Sequence, residues 1–260
     1  MDGSRFTAIK YLLYYQSNMD TKEYEKLYKI ENNYWWHVGR KYVIEERLQK
    51  IKLPNNAKIL NVGCGTGGNV PILNKFGEVF NVDESKIALD FLQKTGAKNI
   101  IQVSGTCLPF EDESFDMVVG FDVIEHIKDD KSAIKEWNRV LRPSGFIFVT
   151  APAYQWLWSG HDLALQHYRR YSINELSKLF NGFKVTKKSY MIVSTFFAVA
   201  GYRFIKKIFP DKNSTTSYVN IPNTVNKILI GLLRIESKLL NYTNAPFGTS
   251  VFIIAQKDSQ

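Results

Sequence analysis

The sequence predicts an α/β fold built on a seven-stranded, doubly wound sheet. Three observations carry that expectation. Short apolar runs alternate with amphipathic stretches from residue 57 onward, the signature of strands joined by helical crossovers. The first run, Ile59-Leu60-Asn61-Val62, feeds directly into Gly63-Cys64-Gly65-Thr66-Gly67-Gly68, a turn where the missing Cβ atoms let a ligand lie against main-chain N–H groups. Finally, 260 residues with 45% hydrophobic and 23% charged content suffice to bury one large core, and no repeat divides them.

The elements follow in order. Residues 22–52 read as helical, with Tyr24, Leu27, Tyr28, Val38, Tyr42, Ile44 and Leu48 among Glu and Lys, and Pro54 closes the segment. This is an N-terminal helical cap, assigned to residues 1–54. Strand 57–62, helix 68–76, strand 78–82, helix 85–94, strands 99–103 and 115–121, helix 130–141 and strand 145–150 then alternate as in a parallel sheet. Ser172-Ile173-Asn174-Glu175 is a capping box that opens a helix through Phe180, and Gly182 ends it before strand 183–190. A last strand, 249–257, completes the core, which comprises 55–190 and 249–260. Between the last two strands lies a helical insertion, 191–248, where a short hairpin is the usual solution.

The formal charge is +9, which favours an anionic partner. It is concentrated, for the insertion holds seven Lys and Arg against Asp211 and Glu236. Val225, Ile228, Leu229, Leu232, Ile235 and Leu239 keep helical spacing there, giving an amphipathic helix that suits a membrane surface, a lid or a homodimer contact. A nucleic-acid partner is not expected, because the basic residues accompany apolar helices and no aromatic platform is evident. Cys64 and Cys107 show no metal or disulfide spacing, so reduced thiols and no metal site are expected. The apolar start at 6–15 contains Lys10 and lacks a small-residue cleavage site, so it does not read as a signal peptide. No run reaches 18 apolar residues. The expected location is cytoplasmic, with peripheral membrane contact through 191–241.

The glycine turn admits two chemistries. Gly63, Gly65 and Gly68 fit the dinucleotide fingerprint, and Asp83 lies 20 residues after Gly63, where a carboxylate takes ribose hydroxyls. The next motifs discriminate. Cys107-Leu108-Pro109-Phe110, Ser114 through Val119, Asp122-Val123-Ile124-Glu125-His126 and Arg139-Val140-Leu141-Arg142-Pro143-Ser144-Gly145 resemble, in order and spacing, the class I S-adenosylmethionine-dependent methyltransferases. The branch they look most like is the methyltransferase type 11 group with the ubiquinone and menaquinone enzymes. A nicotinamide oxidoreductase becomes the remote alternative. A non-catalytic module or scaffold that binds the cofactor or its product is the contrasting class.

The resemblance implies a Rossmann-like fold, S-adenosyl-L-methionine as cofactor and S-adenosyl-L-homocysteine as product. Gly63, Cys64, Gly65 and Gly67 would line the methionine portion, and Asp83 would accept both ribose hydroxyls. Asn61 replaces a usual carboxylate, and Ser104 an Asp that often binds adenine, leaving Gly105 and Thr106 backbone groups for that base. Phe121 would flank the methionine end. From the residues themselves, Trp36 is a candidate to close over the cofactor and Arg40 to pair with its carboxylate. Trp158, Tyr168 and Arg170 are candidate acceptor contacts, and His161 and His167 candidate general bases, since methylation of oxygen or nitrogen benefits from one. The acceptor expected is a small molecule, a lipid-linked compound or a glycan.

Overall fold

The computed structural model describes residues 21–208 and 218–259, so the apolar start at 6–15 lies outside it. Seven strands form one sheet in the order β3-β2-β1-β4-β5-β7-β6: β1 (Lys58–Val62), β2 (Glu78–Asp83), β3 (Ile100–Gln102), β4 (Phe115–Phe121), β5 (Leu141–Pro152), β6 (Phe183–Met191) and β7 (Ser250–Lys257). The first five run parallel, whereas β7 inserts antiparallel between β5 and β6. The sheet is therefore mixed, where alternation alone suggested a parallel one.

Alternation along each central strand explains why these strands read as continuous apolar runs. Leu60, Val62, Val118, Ile147, Val149, Val251 and Ile253 face one core, and Ile59, Met117, Val119, Phe148, Phe252 and Ile254 the other. Helices α5 (Asp130–Val140) and α7 (Ile173–Lys178) cover the first face with Ile134, Trp137 and Leu176. The second is covered by α2 (Trp35–Leu48), α3 (Val70–Leu73) and α9 (Asn223–Leu239), through Val43, Ile44, Leu48, Leu73 and Leu233. A third cluster packs Leu89 and Leu92 of α4 (Lys86–Gln93) on Cys64 and Val70.

The cap is two helices, α1 (Thr21–Ile30) and α2, separated by a turn at 31–34. The N-terminus of α2 lacks a side-chain cap of its own. Asn226 of α9 supplies one, its Oδ1 accepting from Trp35 N at 2.9 Å while its amide donates to Asn33 O at 2.8 Å. Packing is close, for a Cβ on Gly39 would sit 2.2 Å from Leu233 Cδ1.

Register explains where the insertion sits. Met191 and Ser250 are antiparallel partners, and Ser250 also faces Pro152 at the end of β5. The insertion, with α8 (Phe196–Ile208) and α9, thus replaces the tip of a β6–β7 hairpin and emerges at the carboxyl ends of the parallel strands. Glu236 pins it there, accepting from the backbone of Val193 and Ser194 at 2.9 and 2.8 Å. The apolar stripe read on α9 faces outward. Its buried side carries Leu233, Glu236 and Ser237, whereas Val225, Ile228, Leu232, Ile235 and Leu239 are exposed. Among the described residues no helix is long and apolar enough to cross a membrane.

Candidate functional site

A cavity of about 1060 Å³ opens at the carboxyl ends of the parallel strands, where ligands of doubly wound sheets bind. It is lined by the glycine turn after β1, the ends of β2 and β4, the 104–106 loop, the cap, the 159–170 segment and the insertion. Ligand sites of this kind usually span roughly 300–1,000 Å³, so there is room for a nucleotide-sized group and a second molecule.

The turn is shaped by backbone demands. Gly63 has φ +65°, and a Cβ there would lie 2.2 Å from Val123 Cγ2. Gly65 has φ +55°, yet a Cβ on it would meet no atom of the described residues within 4 Å. Asp83 ends β2 with one carboxylate oxygen on this turn and the other on the N-cap of α4. Gly65 N donates to Oδ2 at 2.8 Å and Ser85 N to Oδ1 at 2.9 Å. Burial pushes its carboxyl up, and the two amides pull it back. The cap closes over the turn through Glu31, which accepts from Thr66 Oγ1 at 2.8 Å, and through Tyr24, whose phenol burial drives up to about 12.

At the end of β4, Asp122 adopts φ +54° and accepts from Thr150 Oγ1 at 2.9 Å. Its other oxygen pairs with Arg40 of α2. Arg40 also lies 5.2 Å from the ring of Trp36, and its Nε is buried with no hydrogen-bond partner among the described residues. Trp35, the neighbour, packs in the core. The adjacent tryptophans divide as helix geometry requires, although both touch the cavity.

A polar cluster lies beyond. Asp162 is fully buried, accepting from His167 Nδ1 at 3.0 Å, Arg170 Nε at 2.7 Å and Ser159 N at 2.9 Å, with Arg203 Nη1 at 3.4 Å. Burial alone would raise its carboxyl, but His167, Arg170 and Arg203 together hold it below the usual range. Arg203, one of the seven basic residues of the insertion, is turned inward. The rings of His126 and His167 meet edge to face at 4.6 Å, and His167 Nε2 is 4.0 Å from Glu125 Oε1. Burial depresses both His126 and His161 to about 3, and burial, aided by Asp122, lifts Glu125 well above the carboxylate range. From the insertion, Tyr218 closes the rim, its hydroxyl 3.3 Å from His37 Nε2 and its ring edge-on to His161 at 5.7 Å.

Of the residues singled out from sequence, Gly63, Cys64, Gly65, Asp83, Ser104, Gly105, Thr106, Phe121, Trp36, Arg40, His161, His167, Tyr168 and Arg170 line this cavity. Three do not. Asn61 is buried within the sheet, donating to Asn81 Oδ1 at 3.0 Å, so it answers a strand neighbour. Gly67 turns toward α4, where a Cβ would meet Leu92 Cδ1 at 2.5 Å. Trp158 is half-buried beside the rim, past a 3-10 turn that sends Leu157 into the core. The carbonyl of Gly105 already accepts from Trp137 Nε1 at 2.8 Å. Sequence reading missed Tyr24, Glu31, His37 and Tyr218 because their positions depend on how cap and insertion close, and it left Glu125 unassigned.

The fold and cavity define a doubly wound α/β protein with a nucleotide-type pocket at the strand ends. Residues 60–149 match the family model of a methyltransferase domain. Demethylmenaquinone methyltransferase of Staphylococcus aureus is 36% identical over 136 residues, 49% of this chain and 54% of that protein. Phosphoethanolamine N-methyltransferase 2 of Haemonchus contortus, solved with S-adenosyl-L-methionine, superposes with a TM-score of 0.55 at 20% identity, covering 84% of this chain and 52% of that one. The cyclase SpnF superposes with a TM-score of 0.53 at 17% identity, covering 85% and 82%, so the fold alone does not fix the chemistry. The chain spans about half the length of the curated relatives it matches. Over this region the chain is similar to class I S-adenosylmethionine-dependent methyltransferases, and the nicotinamide reading of the glycine turn is set aside.

Proposed function

We propose that the protein binds S-adenosyl-L-methionine and methylates the polar head of an amphiphilic, lipid-linked acceptor. The observation that carries the cofactor assignment is the pairing of the Gly63–Gly65 turn with Asp83. An open cradle, which any side chain at 65 would fill, lies beside a buried carboxylate oriented by two amides. The unpartnered Nε of Arg40 suits a ligand carboxylate. Asp83 would hold ribose hydroxyls, the turn would approach the methionine portion, and Ser104 and Thr106 would border the base.

When bound, the cofactor supplies a methyl group on a positively charged sulfur, a reactive electrophile that asks mainly for alignment and dryness. Trp36, Phe121 and Tyr218 provide apolar walls around that region. Of the two candidate bases, His161 is a weak one, since burial favours its neutral form so strongly. His167 is held by Asp162 with Nε2 directed away from that carboxylate, the arrangement of a positioned acceptor.

The lipid assignment rests on α8. One side of this helix lines the cavity through Thr195, Val199, Tyr202 and Arg203 nearby, while Phe197, Phe204, Ile205 and Ile208 are exposed. The outward stripe of α9 adds exposed Ile228, Ile235 and Leu239 beside exposed Lys227, Arg234 and Lys238. Such faces bind at an interface and draw roughly 1 kcal/mol per basic residue from anionic headgroups. This favours peripheral attachment on the cytoplasmic side.

Transfer of label from methyl-tritiated S-adenosyl-L-methionine into a bacterial total lipid extract tests the reading. Chloroform-soluble label that disappears in Asp83→Ala supports it. Label confined to water-soluble products would replace the lipid acceptor with a free small molecule or glycan, and bound cofactor with no labelled product would favour a non-catalytic module.

A further inference from the structure

The hydrogen bonds around His167 fix its tautomer. Asp162 accepts from Arg170 and Ser159 N, which only a carboxylate acceptor satisfies, so Nδ1 of His167 must donate to it at 3.0 Å. In the neutral ring, Nε2 is then a bare lone pair. It faces Glu125 Oε1 at 4.0 Å, beyond hydrogen-bond range. Both carboxylate oxygens of Glu125 are buried and have no hydrogen-bond partner among the described residues, although Glu125 is only 1% exposed. Buried polar atoms are rarely left so, and the third neighbour, His126, also brings an imidazole nitrogen. One ligand atom from each of Glu125, His126 and His167 lies within 4.8 Å of the others, on the cavity wall.

We propose that Glu125, His126 and His167 form a binding site for a first-row divalent transition cation. Two imidazoles and one carboxylate suit Mn²⁺, Fe²⁺, Co²⁺ or Zn²⁺ better than Mg²⁺ or Ca²⁺, which prefer all-oxygen shells. Asp162 is the outer partner such sites require, for a ligating histidine characteristically donates its other N–H to a carboxylate, which fixes the ring and raises its basicity. Metal–ligand distances of about 2.0–2.2 Å allow ligand atoms at most about 4.4 Å apart, so binding draws the three inward slightly.

Three protein ligands leave positions open toward the cavity, as in catalytic rather than structural sites. Resting on the methyltransferase reading, the cation would take an oxygen of the acceptor and lower the pKa of its hydroxyl, so that the proton passes to water in the cavity and the oxygen takes the methyl group from the sulfonium, releasing S-adenosyl-L-homocysteine. Local pattern does not reveal this cluster. Glu125 and His126 are adjacent, but His167 joins them only when the 159–170 segment folds back, with Tyr168 N donating to Glu125 O at 2.8 Å.

The test is titration of the chelator-stripped full chain with Mn²⁺, following free Mn²⁺ by electron paramagnetic resonance. Co²⁺, read by its visible absorption, serves as a second probe. One equivalent bound per chain is expected, with affinity falling at least about tenfold in Glu125→Gln and in His167→Gln. S-Adenosyl-L-homocysteine binding and thermal melting report that each variant remains folded. No stoichiometric binding by the wild type would overturn the site. Equal binding by a folded Glu125→Gln or His167→Gln would overturn it too. Metal binding without homocysteine-cofactor binding would keep the site and remove the methyltransferase reading.

Discussion

Arg40 on α2 pairs with Asp122 at the end of β4, joining residues 82 apart and tying the N-terminal cap to the floor of the cavity. Both partners are largely shielded, with side chains 8% and 19% exposed. Arg40→Met leaves Asp122 unpaired beside Glu125. Truncating one partner of a buried pair typically destabilises by several kcal/mol, and partial exposure of Asp122 reduces this to about 3 kcal/mol. Urea unfolding of Arg40→Met and of Arg40→Met/Asp122→Asn checks it, the double variant being expected to recover part of the loss.

Gly63 and Gly65 should fail differently. Gly63→Ala forces a Cβ onto Val123 and strains a positive φ, so it should cost about 2 kcal/mol or more of stability along with ligand binding. Gly65→Ala strains φ, but its Cβ meets no atom of the described residues within 4 Å, so the fold should survive with a cost of about 1 kcal/mol while the side chain occupies the cradle. Melting curves beside cofactor titrations separate the two.

Acid should destabilise the protein from the neutral range downward. Burial first, and nearby cations second, depress His37 well below its ordinary value and His161 to about 3. Unfolded histidine takes its proton near pH 6.5, so between that value and the folded pKa the unfolded chain binds more protons and stability rises with pH. Each such group steepens the slope by up to about 1.4 kcal/mol per pH unit. Asp162 acts at lower pH, for its depressed folded pKa contributes stability above the unfolded value near 3.8 that is lost as pH falls through the folded one. The raised carboxyls of Glu125 and Asp83 oppose this trend, so the histidine contribution is read as a difference: between pH 7 and pH 5 the urea midpoint of His37→Phe should fall less than that of the wild type.

Binding to vesicles should depend on the outward faces of α8 and α9. Phe204→Ser/Ile208→Ser removes two exposed apolar side chains, which lowers partitioning onto phosphatidylglycerol vesicles at least about tenfold. Cosedimentation at low and high salt checks this. Unchanged partitioning, or self-association of the wild type lost in the variant, would assign the face to a second copy.

The parts legible in the sequence are those set by local pattern. Burial on both faces made the central strands visible as continuous apolar runs, and the glycine turn with Asp83 marked the cavity because backbone conformation at Gly63 and Gly65 is a local demand. The position of β7 was not local, since its place between β5 and β6 depends on pairing across the chain. The partner of Asn61 was not local either, since its amide donates to Asn81 in the neighbouring strand. On α9 the apolar stripe was visible, yet its direction was set by polar Asn226 and Glu236 finding partners on other elements.

Calorimetric titration of the purified protein with S-adenosyl-L-homocysteine, repeated with Asp83→Ala and with NADH, tests the assignment most directly. Micromolar binding is expected for the wild type, weakened at least about tenfold by loss of the charged acceptor, with none to NADH. Intact, folded protein that binds no S-adenosyl-L-homocysteine, or binds it equally well without the Asp83 carboxylate, would contradict the cofactor site described above.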